Sequence, residues 1–416
     1  MVVFDEIAEQ TGDDQWDEWK RQVLDASDEI ASFVARCRSG GDAEVIDWAH
    51  NFRDEKITNE VQVITFLLER TTIPVPRLLS WGLTADSPHH FGPFIISDFV
   101  DGIHLSDILK DPADKKCLYL NPNIDRQILD DVFEQIAGIL LQLFQLDFPA
   151  IGAISKDSTS NTWSVTGRPL TYSMNELATT AFFPVDKFAT GPFESASTYF
   201  RFLSHQHITH LWTQRNLCTN PKEAQKQYTA RHLFALLTEK YSINDHGPFR
   251  LFCDDFRPQN ILVDPKTLRI TAILDLEFTN AMPSQDASES PWWLLLAGPD
   301  SYLLRGRSIE EFLAAYEPRL EQFLEAMGRV ERKRGLHHGE KSLSALMRES
   351  WATRRFWFNY ASRKPFDLDQ FFMSRLNEGG AGIELLDEEV CGGLEPFVRE
   401  KMEQVRAYDN DCRLLL

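Results

Sequence analysis

The sequence predicts an α+β chain built as two unequal lobes, and three observations carry that reading. Strand-like runs are confined to residues 77–82 and 94–100 and to the stretch 251–278. Amphipathic helical segments fill most of the remainder, above all after residue 195. The chain has 416 residues, 43% hydrophobic and 12% aromatic, which is enough to fill more than one core. The expected division is a small N-terminal lobe over residues 1–100 and a large, mainly helical lobe over 101–416 that carries the 251–278 segment.

Each element has a local reason. Residues 13–36 place Trp16, Trp19, Val23, Ile30 and Phe33 at helical spacing and predict one amphipathic helix. A polar, glycine-containing break follows at 38–42. Residues 55–70 (EKITNEVQVITFLLER) predict a second helix. It must stop before Pro74 and Pro76, whose rings cannot continue it. After the strands at 77–82 and 94–100, Asp101-Gly102 makes a turn, and a short helix starts near Leu105. The junction at 98–102 reads as a tight hinge. Residues 126–145 have the strongest helical periodicity in the chain. Residues 150–195 are rich in Ser, Thr, Gly and Pro, and so long a segment without period reads as an ordered functional loop or an insertion. Helices are expected again at 196–216, 222–241, 308–333, 341–362 and 386–407.

The formal charge is −20 and the pI about 5.0. Such a surface repels nucleic acid and anionic lipid, so neither is expected as a partner. It is compatible with a cationic small molecule, although acidity more often serves solubility alone. Six cysteines are scattered without a CxxC pair or zinc-ligand spacing, which fits a reduced, cytoplasmic protein. The first residues, MVVFDEIAEQ, have neither the basic nor the apolar region of a signal peptide. No run reaches the roughly 18 apolar residues of a membrane span.

Chemistry concentrates in 251–278, LFCDDFRPQNILVDPKTLRITAILDLEF. Asp255, four residues and then Asn260 is the spacing of a phosphoryl-transfer catalytic loop, and Asp275 follows after room for two short strands and a turn. In such chemistry the protein positions groups and neutralises charge. One carboxylate meets a substrate hydroxyl, while an Asn and a second Asp hold Mg²⁺ through hard oxygen atoms. Taken singly, Asp255 also fits a turn or cap, Asn260 a loop residue bonded to its own backbone, and Asp275 a buried hydrogen-bonded carboxylate. Their common spacing on an apolar strand pair favours the metal and base site. Arg257 reads either as a phosphate or substrate contact or as a partner that orders the loop. Cys253 reads as a buried apolar residue. Trp292 and Trp293 are either pocket walls or core.

These residues resemble the aminoglycoside phosphotransferase family, whose loop usually reads HGDxHPxNxLVD before a hairpin and an IDWE-like segment. Here the counterpart is CDDFRPQNILVD and then ILDLEF. Asp255, Pro258, Asn260, Asp275 and Glu277 match, whereas Cys253 and Arg257 replace histidines and Asp254 replaces glycine. The CDDxRPxN form with the following Pro-Trp-Trp is similar to a subgroup of fungal members. The resemblance extends through EKITNEVQVITFLLERTTIPVPRLLSWG and GPFIISDFVDGIHLSDIL. It implies a protein-kinase-like fold and transfer of the γ-phosphoryl group of ATP, with Mg²⁺, to a small-molecule hydroxyl. Asp255 would accept the hydroxyl proton, and Asn260 and Asp275 would bind the metal. The hinge 96–100, including Asp98 and Val100, would meet adenine through its backbone. Glu60 would pair with an N-lobe lysine.

The sequence departs from the family at the phosphate grip. A glycine hairpin and a strand ending in Lys or Arg are expected there. The chain offers Gly40-Gly41 and then Val45-Ile46-Asp47, with Asp47 near the basic position and Arg53 and Lys56 as nearby substitutes. A kinase-like binding protein that has lost catalysis is therefore the alternative reading. The acceptor walls are expected from the helix around 347–360 and from 150–195.

Overall fold

The computed structural model describes residues 4–37, 52–113, 119–335, 341–380 and 382–415. Two helices open the chain, α1 (Glu6–Asp25) and α2 (Ser27–Cys37). The single helix expected over 13–36 is therefore two, broken at Ala26, whose ψ of 14° leaves helical geometry. Asp28 and Glu29 start α2 with acidic residues, where the helix dipole favours them. Both helices rest on the strand pair and its connection at 78–97: Trp19 Nε1 donates to Phe91 O of the connection at 2.8 Å, and Phe33 packs edge-on to Phe94.

Helix α3 (Arg53–Arg70) buries Ile57, Val61, Val63, Ile64, Phe66 and Leu67. The antiparallel pair β1 (Leu78–Gly82) and β2 (Phe94–Ser97) sets Trp81 opposite Ile95. Strand β2 stops short of the expected residue 100, and Phe99 beyond it is 61% exposed.

The larger part is helical around three small antiparallel sheets. Strand β3 (Ile103–His104) leads into α4 (Leu105–Leu109), and α5 (Arg126–Phe144) follows. Between α5 and the helix pair α7 (Ala196–Thr213) and α8 (Pro221–Tyr241) lie β4 (Asp147–Phe148), the hairpin β5 (Ala153–Lys156)–β6 (Trp163–Gly167) and α6 (Tyr172–Thr180). The 150–195 segment is thus ordered. Then come β7 (Phe249–Cys253), β8 (Ile261–Val263), β9 (Ile270–Ile273) and β10 (Thr279–Met282), in sheets ordered β10-β7-β4 and β3-β8-β9.

The remaining helices are α9 (Ser284–Ala287), α10 (Pro299–Leu304), α11 (Ile309–Lys333), α12 (Leu343–Ala352), α13 (Arg355–Ser362), α14 (Leu368–Phe371) and α15 (Glu388–Leu415). The helix expected over 341–362 is broken at Arg354, whose φ of 62° no helix continues. Phe133 of α5 meets Phe323 of α11, and Phe358 of α13 stacks on Phe234 of α8.

One apolar core joins α3 to the large lobe. Phe66 packs against Phe148 and edge-on to Trp163, so α3 sits on the β5–β6 hairpin. The architecture is the α+β, protein-kinase-like two-lobe fold. Among the described residues, no helix is long and apolar enough to cross a membrane.

Candidate active site

Strand β7 runs between β4 and β10 and buries alternate residues Phe249, Leu251 and Cys253. That alternation fixes its register, because a one-residue slip would turn this apolar set outward. Cys253 is accordingly a core residue, and burial pushes its thiol up. The chain leaves the sheet at Asp254 and Asp255, makes one turn at Pro258–Asn260, and enters β8. His104 Nδ1 lies 2.6 Å from Gln259 O and ties this loop to β3.

Asn260 is the centre of the arrangement. Its Nδ2 lies 3.0 Å from Asp255 O and 3.0 Å from Asp255 Oδ2. The same nitrogen is 3.4 Å from Asp275 Oδ2. Leu274 N–H donates to Asn260 O at 2.8 Å, so the turn and the end of β9 are stitched together. Asp275 has φ of 57°, a left-handed conformation costly for a residue with a side chain. The three residues that the sequence singled out by spacing thus converge on one amide group. Asp255 is 8% exposed, and Arg257 Nε lies 2.8 Å from its Oδ1. Burial raises the Asp255 carboxyl to about 6, against the opposing pull of Arg257. Arg257 is thus paired within the loop and also lines the cavity described below.

The opposite face of the Asp275 segment is held by α3. Lys56, Asn59 and Glu60 lie at i, i+3 and i+4, one face of the helix. Lys56 Nζ pairs with Glu277 Oε2 at 2.5 Å, and both side chains are largely buried. Asn59 Nδ2 donates to Glu277 O and Thr279 O at 2.9 and 3.0 Å. Glu60 Oε1 accepts Leu276 N–H at 3.0 Å. Glu60 thus supports the Asp275 segment, while the strand expected to carry its basic partner lies outside the described residues. Gly40, Gly41 and Asp47 lie outside the described residues. Lys56 lacked the expected strand context. In the sequence it reads only as a nearby substitute for the basic grip residue, and its position one turn before Glu60 is what places it on this helix face.

The hinge residues divide. Asp98 carries an ion pair with Arg77, Nε to Oδ2 2.8 Å, and its N–H donates to Arg77 O at 2.9 Å. That N–H is thus engaged within the protein. The backbone of Val100 enters no hydrogen bond among the described residues.

On its other side Asp255 opens into a cavity of about 270 Å³. Tyr172 and Glu176 reach it from α6, Trp292 and Asp300 from the segment after β10, and Tyr360, Arg363 and Lys364 from the end of α13. The expected walls, 150–195 and 347–360, both contribute. Trp292 lines the cavity, while Trp293 packs in the core near Phe256. Arg363 is buried among three carboxylates. Its Nε is 3.1 Å from Asp254 Oδ1, its Nη1 is 3.2 Å from Asp286 Oδ1, and Nη2 pairs with Glu289. Burial pushes the Asp286 carboxyl up to about 8 despite that guanidinium. Lys364 Nζ is 3.3 Å from Asp300 Oδ2, and Tyr360 OH donates to Asp300 Oδ1 at 2.7 Å. Sequence reasoning missed Asp300, Arg363 and Lys364, which carry no short motif, and gave Asp254 no role beyond its place in the CDDxRPxN loop.

The model of the Phosphotransferase enzyme family (APH) matches residues 49–331. The chain belongs to this phosphotransferase family. Solved structures share its likeness at low identity. A putative aminoglycoside phosphotransferase from Ralstonia eutropha is 11% identical, covering 92% of this chain and 98% of its own, with a TM-score of 0.41. An aminoglycoside phosphotransferase from Streptomyces rimosus is 14% identical over 76% and 83% of the two chains, with a TM-score of 0.37. Another, solved with streptomycin and ATP, is 10% identical over 91% and 97%, with a TM-score of 0.41. No curated protein matches the sequence.

Proposed function

We propose that this phosphotransferase-family protein moves the γ-phosphoryl group of ATP to a hydroxyl of a small molecule, with Mg²⁺ as cofactor. The observation that carries the reading is the convergence of Asp255, Asn260 and Asp275 beside the cavity. The donor set suits a hard cation. The Asn260 amide nitrogen is turned to Asp255 and Asp275, and the Asn260 carbonyl oxygen and the Asp275 carboxylate are the hard oxygen donors that would hold Mg²⁺. Among the described residues, no cluster of three or more His, Cys, Asp or Glu offers a competing site. When bound, Mg²⁺ would neutralise charge on the phosphates.

Asp255 is placed to accept the acceptor's hydroxyl proton. The acceptor oxygen forms its bond to the γ-phosphorus as the bond to the β-phosphate oxygen breaks, and ADP leaves. Arg257 and Asn260 hold the Asp255 carboxylate in one orientation, so little reorganisation is left for the reaction itself. Lys56, Asn59 and Glu60 fix the segment that carries Asp275. The backbone of Phe99 and Val100, unpaired among the described residues, is left for adenine, and Asp98 braces this hinge through Arg77.

The test is ADP release by purified protein with ATP, Mg²⁺ and a panel of hydroxyl compounds. Release that depends on both Mg²⁺ and an acceptor, and is lost in Asp255→Ala, supports the reading. ATP binding without any acceptor-dependent release would instead favour a non-catalytic binding protein.

A further inference from the structure

The cavity beside Asp255 carries its own cation. Lys364 Nζ lies 5.7, 5.9 and 5.6 Å from the ring centroids of Tyr172, Trp292 and Tyr360. Rings at such distances from an ammonium are the arrangement by which proteins bind cationic ligands. Here the ammonium belongs to the protein, is largely buried, and is paired with Asp300.

The rest of the lining is also balanced. Its carboxylates are Glu176, Asp254, Asp255 and Asp300. Its cations are Arg257, Arg305, Arg363 and Lys364. Arg257 is matched to Asp255, Arg363 to Asp254, and Lys364 to Asp300. A polycation entering this space would meet Lys364 and the arginines. Like charges about 4 Å apart near a protein surface repel strongly enough to cost roughly a hundredfold in affinity or more. An anion would meet the carboxylates at the same distance. One further polar residue lines the cavity: among the described residues Gln259 Oε1 is buried and accepts no hydrogen bond.

We infer that the acceptor is a small, neutral, polyhydroxylated molecule of sugar or polyol type, and not a polycationic aminoglycoside. The inference rests on the phosphotransferase reading for its chemistry, and its binding can be tested without turnover. Carboxylates held rigid by cations accept hydroxyl hydrogen bonds without asking for a charged ligand. Asp255 and Asp300 are such groups, Gln259 Oε1 adds a third acceptor, and Trp292 and Tyr172 offer faces to a sugar ring. The volume of about 270 Å³ lies just below the usual span of ligand pockets, roughly 300 to 1,000 Å³, and suits a single ring.

The test is saturation-transfer NMR on the full chain, with glucose, inositol and glycerol as one set and streptomycin and hygromycin B as the other. The neutral set is expected to show transfer that falls at least fivefold in Tyr172→Ala and in Gln259→Leu, while the aminoglycosides show none that these variants change. Aminoglycoside binding at this cavity, or silence from both sets, overturns the inference. A second variant tests the internal cation directly. Lys364→Met empties the ring cage beside Asp300 and should bind tetramethylammonium at least tenfold more tightly than the wild type. Equal binding by a folded variant would show that Lys364 does not fill the cage. Separate ADP-release assays keep the two readings apart. Neutral ligands that bind but never yield ADP sink the phosphotransfer reading alone. Turnover with aminoglycosides sinks this inference alone.

Discussion

Toward α3, Asp255 faces groups drawn from one short stretch of chain and one helix face. Toward the cavity, it faces groups drawn from α6, the turn after β10, α10 and the end of α13. The first side is a chain of direct contacts: Asp255 to Asn260, Asn260 to Asp275, then Leu276 and Glu277 to Glu60 and Lys56. The second is a set of buried ion pairs whose members come from distant parts of the sequence. The chemistry that every member of a phosphoryl-transfer family shares can be encoded locally. The pocket that selects an acceptor has to be assembled by the whole fold, and it is free to differ between relatives.

The largest expected effect lies where the two sides meet. Asp255→Ala should lower acceptor-dependent ADP release by about 10² to 10⁴-fold, with an unchanged circular dichroism spectrum. Full activity in that variant would break the assignment of the shared group.

The next prediction concerns the cavity side alone. Arg363→Met leaves Asp254, Asp286 and Glu289 buried without their cation, and should cost about 3 to 5 kcal/mol of stability, read as denaturant midpoint times slope. Asp286→Asn removes one of three carboxylates that share one guanidinium, so it should be near neutral or stabilising. If the two variants are equally damaging, Arg363 is not the counter-ion of an over-charged cluster.

On the metal side, Lys56→Met should weaken Mg–ATP binding by about tenfold, because the buried pair with Glu277 holds the segment after Asp275. Titration calorimetry reads this directly. A lower melting temperature with unchanged nucleotide affinity would confine Lys56 to the fold.

The smallest effect is a pH dependence. Burial raises the Glu176 carboxyl to about 7, with Lys364 opposing it. A carboxyl raised on folding is favoured in its protonated form, so its contribution to stability is present at low pH. It is lost as pH rises from the unfolded value toward 7. Glu176→Gln, which cannot ionise, should therefore gain on the wild type by about 1 to 3 °C in melting temperature between pH 5 and pH 8. A constant difference across that range would show that Glu176 does not titrate in the fold.

How much of this could be read in advance follows from the same contrast. Asp255, Asn260 and Asp275 were legible because loop and hairpin geometry fixes their spacing within one segment. Helix α3 was legible from its periodicity and from Pro74 and Pro76 beyond it. The contact of Glu60 with the Leu276 N–H was not, since helical spacing shows which residues share a face but not what that face meets. Arg363 and Lys364 read as ordinary basic residues at the end of a helix. Only folding brings Asp254, Asp286 and Glu289 around one and Asp300 beside the other. The breaks at Ala26 and Arg354 escaped notice because neither residue is a glycine or proline.

The central claim, that Asn260 and Asp275 form with Asp255 a site for Mg–ATP, is most directly tested by thermal melting. The wild type with saturating ATP and Mg²⁺ should melt several degrees above the apo protein, since a ligand that binds only the folded state must raise the midpoint. Asp275→Ala should show no such rise. A wild-type midpoint unmoved at millimolar Mg–ATP, or one raised equally in Asp275→Ala, would contradict it.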